Sequence, residues 1–131
     1  YSRGGATEKV AKAIAREAGE RALATDKPLE KKVDILFIGS GVYKGHIDGH
    51  VKAFIEGLTP DKVGKAVFFS TAMLGGGHSD EEVRKLLAEK GISMDTRTFH
   101  CHGKFLFFHR SHPDSRDLLD AQIFARKIIK K

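Results

Sequence analysis

The chain has 131 residues, 40% hydrophobic and 31% charged, with a net charge of +6, one cysteine and no tryptophan. That length and apolar content give a single folded domain over residues 1–131 with one core, and they exclude disorder. No apolar run reaches the roughly 20 residues of a membrane helix. No basic-then-apolar leader opens the sequence, and the lone Cys101 makes no internal disulfide, so the expected setting is the cytoplasm.

"YSRGGATEKVAKAIAREAG" begins as a polar, glycine-bearing loop and enters a helix near Ala6. Val10, Ala13, Ile14 and Ala18 form its apolar stripe, and Gly19 stands where a helix-ending glycine belongs. "RALAT" reads as a weak strand, and "DKPLEKK" as a charged turn. "VDILFIGSGVY" is a β-branched and aromatic run closed by glycines, the pattern of a parallel strand covered on both faces. Val51, Phe54, Ile55 and Leu58 predict a second helix stopped by "TPD".

"KAVFFSTA" repeats the buried-strand pattern and ends in "MLGGGHSD". Ser79 with Glu82 has capping-box spacing, and Val83, Leu86 and Leu87 with Gly91 predict a third helix. "SMDTRTFHC" reads as a more polar final strand, and a last helix begins near Asp114 with Leu118, Ala121, Ala125 and Ile128 on one face. Strands alternating with helices imply βαβ units: a doubly wound α/β domain, a parallel sheet with helices on both faces. Such a domain binds ligands beyond the carboxyl ends of its strands.

The first loop, with "DILFIGSGVYKG", "VFFSTAMLGGG", "FHCHGKF" and "HPDSRDLLDAQIFARKI" in this order and spacing, resembles the flavodoxin family over nearly the whole chain. The resemblance implies a flavodoxin-like three-layer sandwich with strand order 2-1-3-4-5 and non-covalently bound FMN. It also implies a central first strand ahead of Tyr1, about five to eight apolar residues long.

The first loop then becomes the phosphate cup. Amides of Ser2, Arg3, Gly4, Gly5, Ala6 and Thr7 can point into one concavity, with hydroxyls from Ser2 and Thr7 and the positive end of the first helix. Gly4 and Ala6 depart from the family's threonine and asparagine, and Arg3 offers a compensating charge. Ser40, Gly41, Val42 and Tyr43 would line one side of the flavin ring, with Tyr43 as the stacking aromatic. Thr71, Ala72, Met73, Leu74, Gly75 and Gly76 would line the other.

The flavin would do the chemistry, giving an electron-transfer protein with no catalytic side chain of its own. The basic balance favours a redox partner acidic on its docking face and a less negative second reduction step than in acidic flavodoxins. Lysines spread over most helices argue against a nucleic-acid site. "IGSGVYKGHIDGHVKAFIEGL" also resembles menaquinone-dependent protoporphyrinogen oxidase, which keeps open an FMN-dependent oxidoreductase acting on a quinone or porphyrinogen. A flavin-free binding module with a basic surface is the third reading.

Four histidines surround Cys101 in "FHCHGKFLFFHRSHP", but the spacing of Cys101, His102, His109 and His112 fits no standard zinc motif. Ser70 and Ser79 read as strand-end and helix-cap residues rather than nucleophiles. "KFLFFH" reads as core under a loop or as a docking patch.

Overall fold

The fold is taken from a computed structural model that describes residues 5–72, 78–102 and 113–130. In chain order the elements are α1 (Ala6–Ala18), β1 (Val33–Tyr43), β2 (His46–Ile47), α2 (Gly49–Glu56), β3 (Val63–Ala72), α3 (Ser79–Glu89), β4 (Phe99–His102) and α4 (Ser115–Ile129). The sheet runs β2-β1-β3-β4, with β1, β3 and β4 parallel and β2 antiparallel to β1. The three parallel strands stand in the order expected for the last three strands of a flavodoxin-like sheet.

β3 is the spine of the layer, hydrogen-bonded on both sides, and Ala66, Val67, Phe68, Phe69, Ser70, Thr71 and Ala72 are all buried. Alternation along the strand feeds two cores. Phe68 and Ala66 pack with Val51 and Ile55 of α2 and Val83 and Leu87 of α3. Phe69 packs on the other face with Val10 and Ile14 of α1 and Ala121 and Ala125 of α4. Helices therefore cover both faces, as the apolar runs predicted. The described residues hold no helix long and apolar enough to cross a membrane.

Two strand expectations change. Residues 21–24 form no strand, and Leu23 is 69% exposed. An extended segment becomes a strand only when a neighbour takes its backbone groups, and no described strand lies beside this one. Among the described residues, the outer edge of β1 pairs only at Val42 and Tyr43, and Ile35, Leu36 and Phe37 are half-buried. The final strand also shortens to Phe99–His102, preceded by one bridge between Ala66 and Met94.

Asp95 explains the interruption. Its Oδ1 accepts from the backbone amide of Arg97 at 2.9 Å, turning the chain away from the ladder. Its Oδ2 meets Lys65 Nζ and Arg97 Nη2, each at 2.9 Å. The Arg97 guanidinium, helped by that amide and by Lys65 and opposed by burial, holds the Asp95 carboxyl well below the usual carboxylate range.

At the start of α4, Asp114 and Asp117 form a reciprocal capping box, each side chain accepting from the other's amide at 2.9 Å. These carboxylates, after burial, push the Cys101 thiol up to about 12. It therefore stays protonated near neutral pH and packs as a small apolar group against the α1/α4 core.

Two outcomes follow. Because the folded pKa of Asp95 is depressed, its contribution is present above the unfolded value of about 3.9 and is lost as pH falls below it. Denaturant titrations should show stability falling on acidification from about pH 4, with a shallower fall in Asp95→Asn, which is also destabilised by about 1–3 kcal/mol at neutral pH. Cys101 should react slowly with a thiol reagent near pH 8 in the folded protein and at an ordinary rate once denatured.

Candidate functional site

The carboxyl ends of β1 and β3 meet the amino ends of α1 and α3, and long-range hydrogen bonds hold the junction. Thr7 Oγ1 and Thr71 Oγ1 lie 2.7 Å apart, both buried, so the first turn of α1 is tied to the end of β3. The hydroxyl that the sequence offers as a phosphate donor is turned onto Thr71. The start of α1 otherwise suits an anion. Its N-cap is Gly5 at φ 80°, and among the described residues it has no side-chain cap bond and nothing lies within 4 Å of where a Cβ would stand. A helix start presents first-turn amides and the positive end of the helix dipole, and the left-handed φ favours glycine.

On the neighbouring strand the structure adds a hairpin. β1 runs through Val42 and Tyr43, turns at Lys44 (φ 53°) and Gly45 (φ 83°), and returns as β2. Two consecutive left-handed residues make the turn whose twist suits a tight hairpin. Ser40 anchors its base: the hydroxyl donates to Gly41 O at 2.7 Å and accepts from Asp48 N at 3.0 Å. Buried Asp48 in turn caps α2, accepting from His50 N at 2.8 Å and lying 2.7 Å from His50 Nδ1. Ser40 is thus engaged inside the fold, Gly41 and Val42 are buried, and half-buried Tyr43 stands at the rim.

The capping box expected in α3 is not made. α3 begins at Ser79 with His78 as N-cap, and among the described residues there is no side-chain cap bond and the buried Ser79 Oγ has no partner. Glu82 is directed elsewhere: Oε1 accepts from Ile47 N at 2.9 Å, and Oε2 lies 3.7 Å from His46 Nδ1. The hairpin is held against the first turn of α3, where a Cβ on Gly45 would come within 4.0 Å of His78 N.

On the other side of that turn, Asp80 accepts from Thr98 Oγ1 at 3.1 Å and lies 3.0 Å from His100 Nε2. His100 Nδ1 is hydrogen-bonded to Ser70 Oγ. A neutral imidazole protonated on Nε2 satisfies both, receiving the Ser70 proton donor and donating to Asp80. Ser70 is completely buried, so this serine, histidine and aspartate tie β3, β4 and α3 together rather than present a nucleophile.

Of the expected ring- and phosphate-lining residues, Gly5, Ala6, Thr7, Ser40, Gly41, Val42, Tyr43, Thr71 and Ala72 gather at this carboxyl edge. Ser2, Arg3, Gly4, Met73, Leu74, Gly75 and Gly76 lie outside the described residues, as do the segment 104–109 and His112. Asp48 and the hairpin role of Glu82 went unread in the sequence, although "KG" between strand-forming residues and "DGH" before a helix were local signals for the turn and the cap. A cavity of about 360 Å³ at the opposite end of the strands, lined by Pro28, Leu29, Phe54 and Leu58 among others, is remote from this junction.

This geometry has relatives. Rubredoxin oxygen:oxidoreductase from Desulfovibrio gigas is similar with a TM-score of 0.72 and 17% identity, over 97% of this chain and 33% of that one. The Flv1 flavodiiron core from Synechocystis sp. PCC6803 gives 0.66 and 15%, over 92% and 31%. A flavodoxin from the domain Archaea gives 0.63 and 14%, over 98% and 91%. The chain spans about a third of the first two structures and most of the third. No curated protein sequence matches it. The flavodoxin domain family matches residues 1–108, and the chain belongs to that family.

Proposed function

We propose that the carboxyl edge of the sheet binds FMN and that the protein carries electrons between a reductase and an acceptor. The observation that carries this reading is the start of α1: a left-handed Gly5, with no side-chain cap and no atom crowding it among the described residues, and the Thr7–Thr71 bond fixing it over the end of β3. Backbone amides and a helix dipole are the donor set a phosphate monoester requires. Ala6 would hold the phosphate by its amide, while the Thr7 hydroxyl is engaged with Thr71. The rim residue Tyr43 would cover one face of the ring, and Gly41 and Val42 would exclude water beneath it.

Bound FMN supplies one- and two-electron chemistry that no side chain here offers. The chain's part is to seat the phosphate, orient the ring and set its surroundings. A net charge of +6 favours a negatively charged reduced cofactor and a docking partner with an acidic face.

A second reading places the same edge in an FMN-dependent oxidoreductase acting on a quinone or porphyrinogen. The likeness to about a third of an oxygen:oxidoreductase, a longer chain, favours a flavin module working within a larger redox enzyme. Rapid multiple turnover with a soluble quinone selects that reading, and slow turnover with efficient transfer to protein acceptors selects the carrier.

The full chain should take up FMN with flavin-type visible absorbance and bind it at least about tenfold tighter than riboflavin, which lacks the phosphate. Gly5→Ala places a Cβ in the open space and strains a left-handed position, so it should shrink that ratio while leaving riboflavin binding nearly unchanged. Equal affinity for the two ligands, or no uptake of either, contradicts the reading.

A further inference from the structure

Three observations meet around the first turn of α3. Ser79 and Glu82 have capping-box spacing, yet the box is not formed. Among the described residues the buried Ser79 hydroxyl has no hydrogen-bond partner. The Glu82 carboxylate instead accepts from Ile47 N at 2.9 Å in the strand that closes the Tyr43 hairpin.

We propose that Glu82 is a positioning residue: it latches the hairpin onto α3 and so holds Tyr43 where a flavin ring would meet it, an inference that rests on the flavin-binding reading above. A hairpin with two paired positions, Val42 with Ile47 and Tyr43 with His46, is too short to keep its place by its own ladder. Its base is fixed by the Ser40 and Asp48 bonds, which lie on the β1 side and at the start of α2. The Glu82 bond fixes the returning strand at Ile47, which pairs with Val42 and follows His46, the cross-strand partner of Tyr43. It joins an ionised acceptor to a backbone donor in a part-buried setting, a strong class of hydrogen bond.

The test uses the full chain with FMN, comparing Glu82→Ala, Glu82→Gln and the exposed same-turn control Glu81→Ala. Three readouts are taken: FMN affinity, the residual fluorescence of bound FMN that stacking on Tyr43 quenches, and hydrogen exchange at the Ile47 amide. Glu82→Ala should speed Ile47 exchange, raise the residual fluorescence and weaken binding by about tenfold. Glu82→Gln, which keeps an acceptor oxygen and loses the charge, should recover most of all three, and Glu81→Ala should resemble the wild type.

Unchanged Ile47 exchange in Glu82→Ala overturns the latch. Equal defects in Glu82→Gln and Glu82→Ala, or in Glu81→Ala and Glu82→Ala, also overturn it by showing that charge alone matters. Wild-type protein that takes up no FMN defeats the flavin reading instead. Faster Ile47 exchange in Glu82→Ala would still support the latch in that case.

Discussion

Thr7 and Thr71 are 64 positions apart, and their buried hydroxyls meet at 2.7 Å. That contact is possible because β3 runs through the centre of the described sheet with its last seven residues buried, delivering Thr71 to the α1 face. Everything at the carboxyl edge depends on this placement. Without it the start of α1 would be one helix end among several. With it, that helix end stands beside the termini of β1 and β3, where doubly wound sheets receive their ligands.

The rest of the edge is built from short polar ties rather than from apolar packing. Ser40 and Asp48 join the end of β1 to α2, Glu82 joins α3 to the hairpin, and Asp80 with His100 and Ser70 joins α3 to β4 and β3. The first turn of α3 is thus gripped from both sides. Such bonds contribute modestly to overall stability but fix direction, which matters in a site whose chemistry belongs to a cofactor. Polar groups committed to this framework, the Thr7 hydroxyl among them, are engaged inside the fold rather than turned to a ligand.

The two covered strands and four amphipathic helices were legible in the sequence, because burial on both faces writes unbroken apolar runs such as 66–69, and helical stripes repeat Val10 with Ile14 and Val83 with Leu87. Long-range polar pairing was not. Nothing near Thr7 names Thr71, and Glu82 read as the local partner of Ser79 because capping-box spacing looks no further than one turn. In the fold α3 is capped one residue earlier, at His78, and Glu82 accepts from Ile47 N. "RALAT" failed as a strand for a related reason: propensity describes the residue, while a ladder requires a neighbour. Asp95 shortened the last strand by bonding to the Arg97 amide, a competition visible only once Lys65 and Arg97 are seen around it.

The central claim is that the amides at the start of α1 receive the phosphate of a flavin nucleotide. Amide-resolved proton–nitrogen spectra of the full chain, titrated in parallel with FMN and riboflavin, test it most directly. The account predicts large shifts at Gly5, Ala6 and Thr7 with FMN that riboflavin does not produce, alongside shifts near Tyr43 with both. Identical responses to the two ligands at residues 5–7, or shifts confined to the cavity near Leu29 and Phe54, would contradict it.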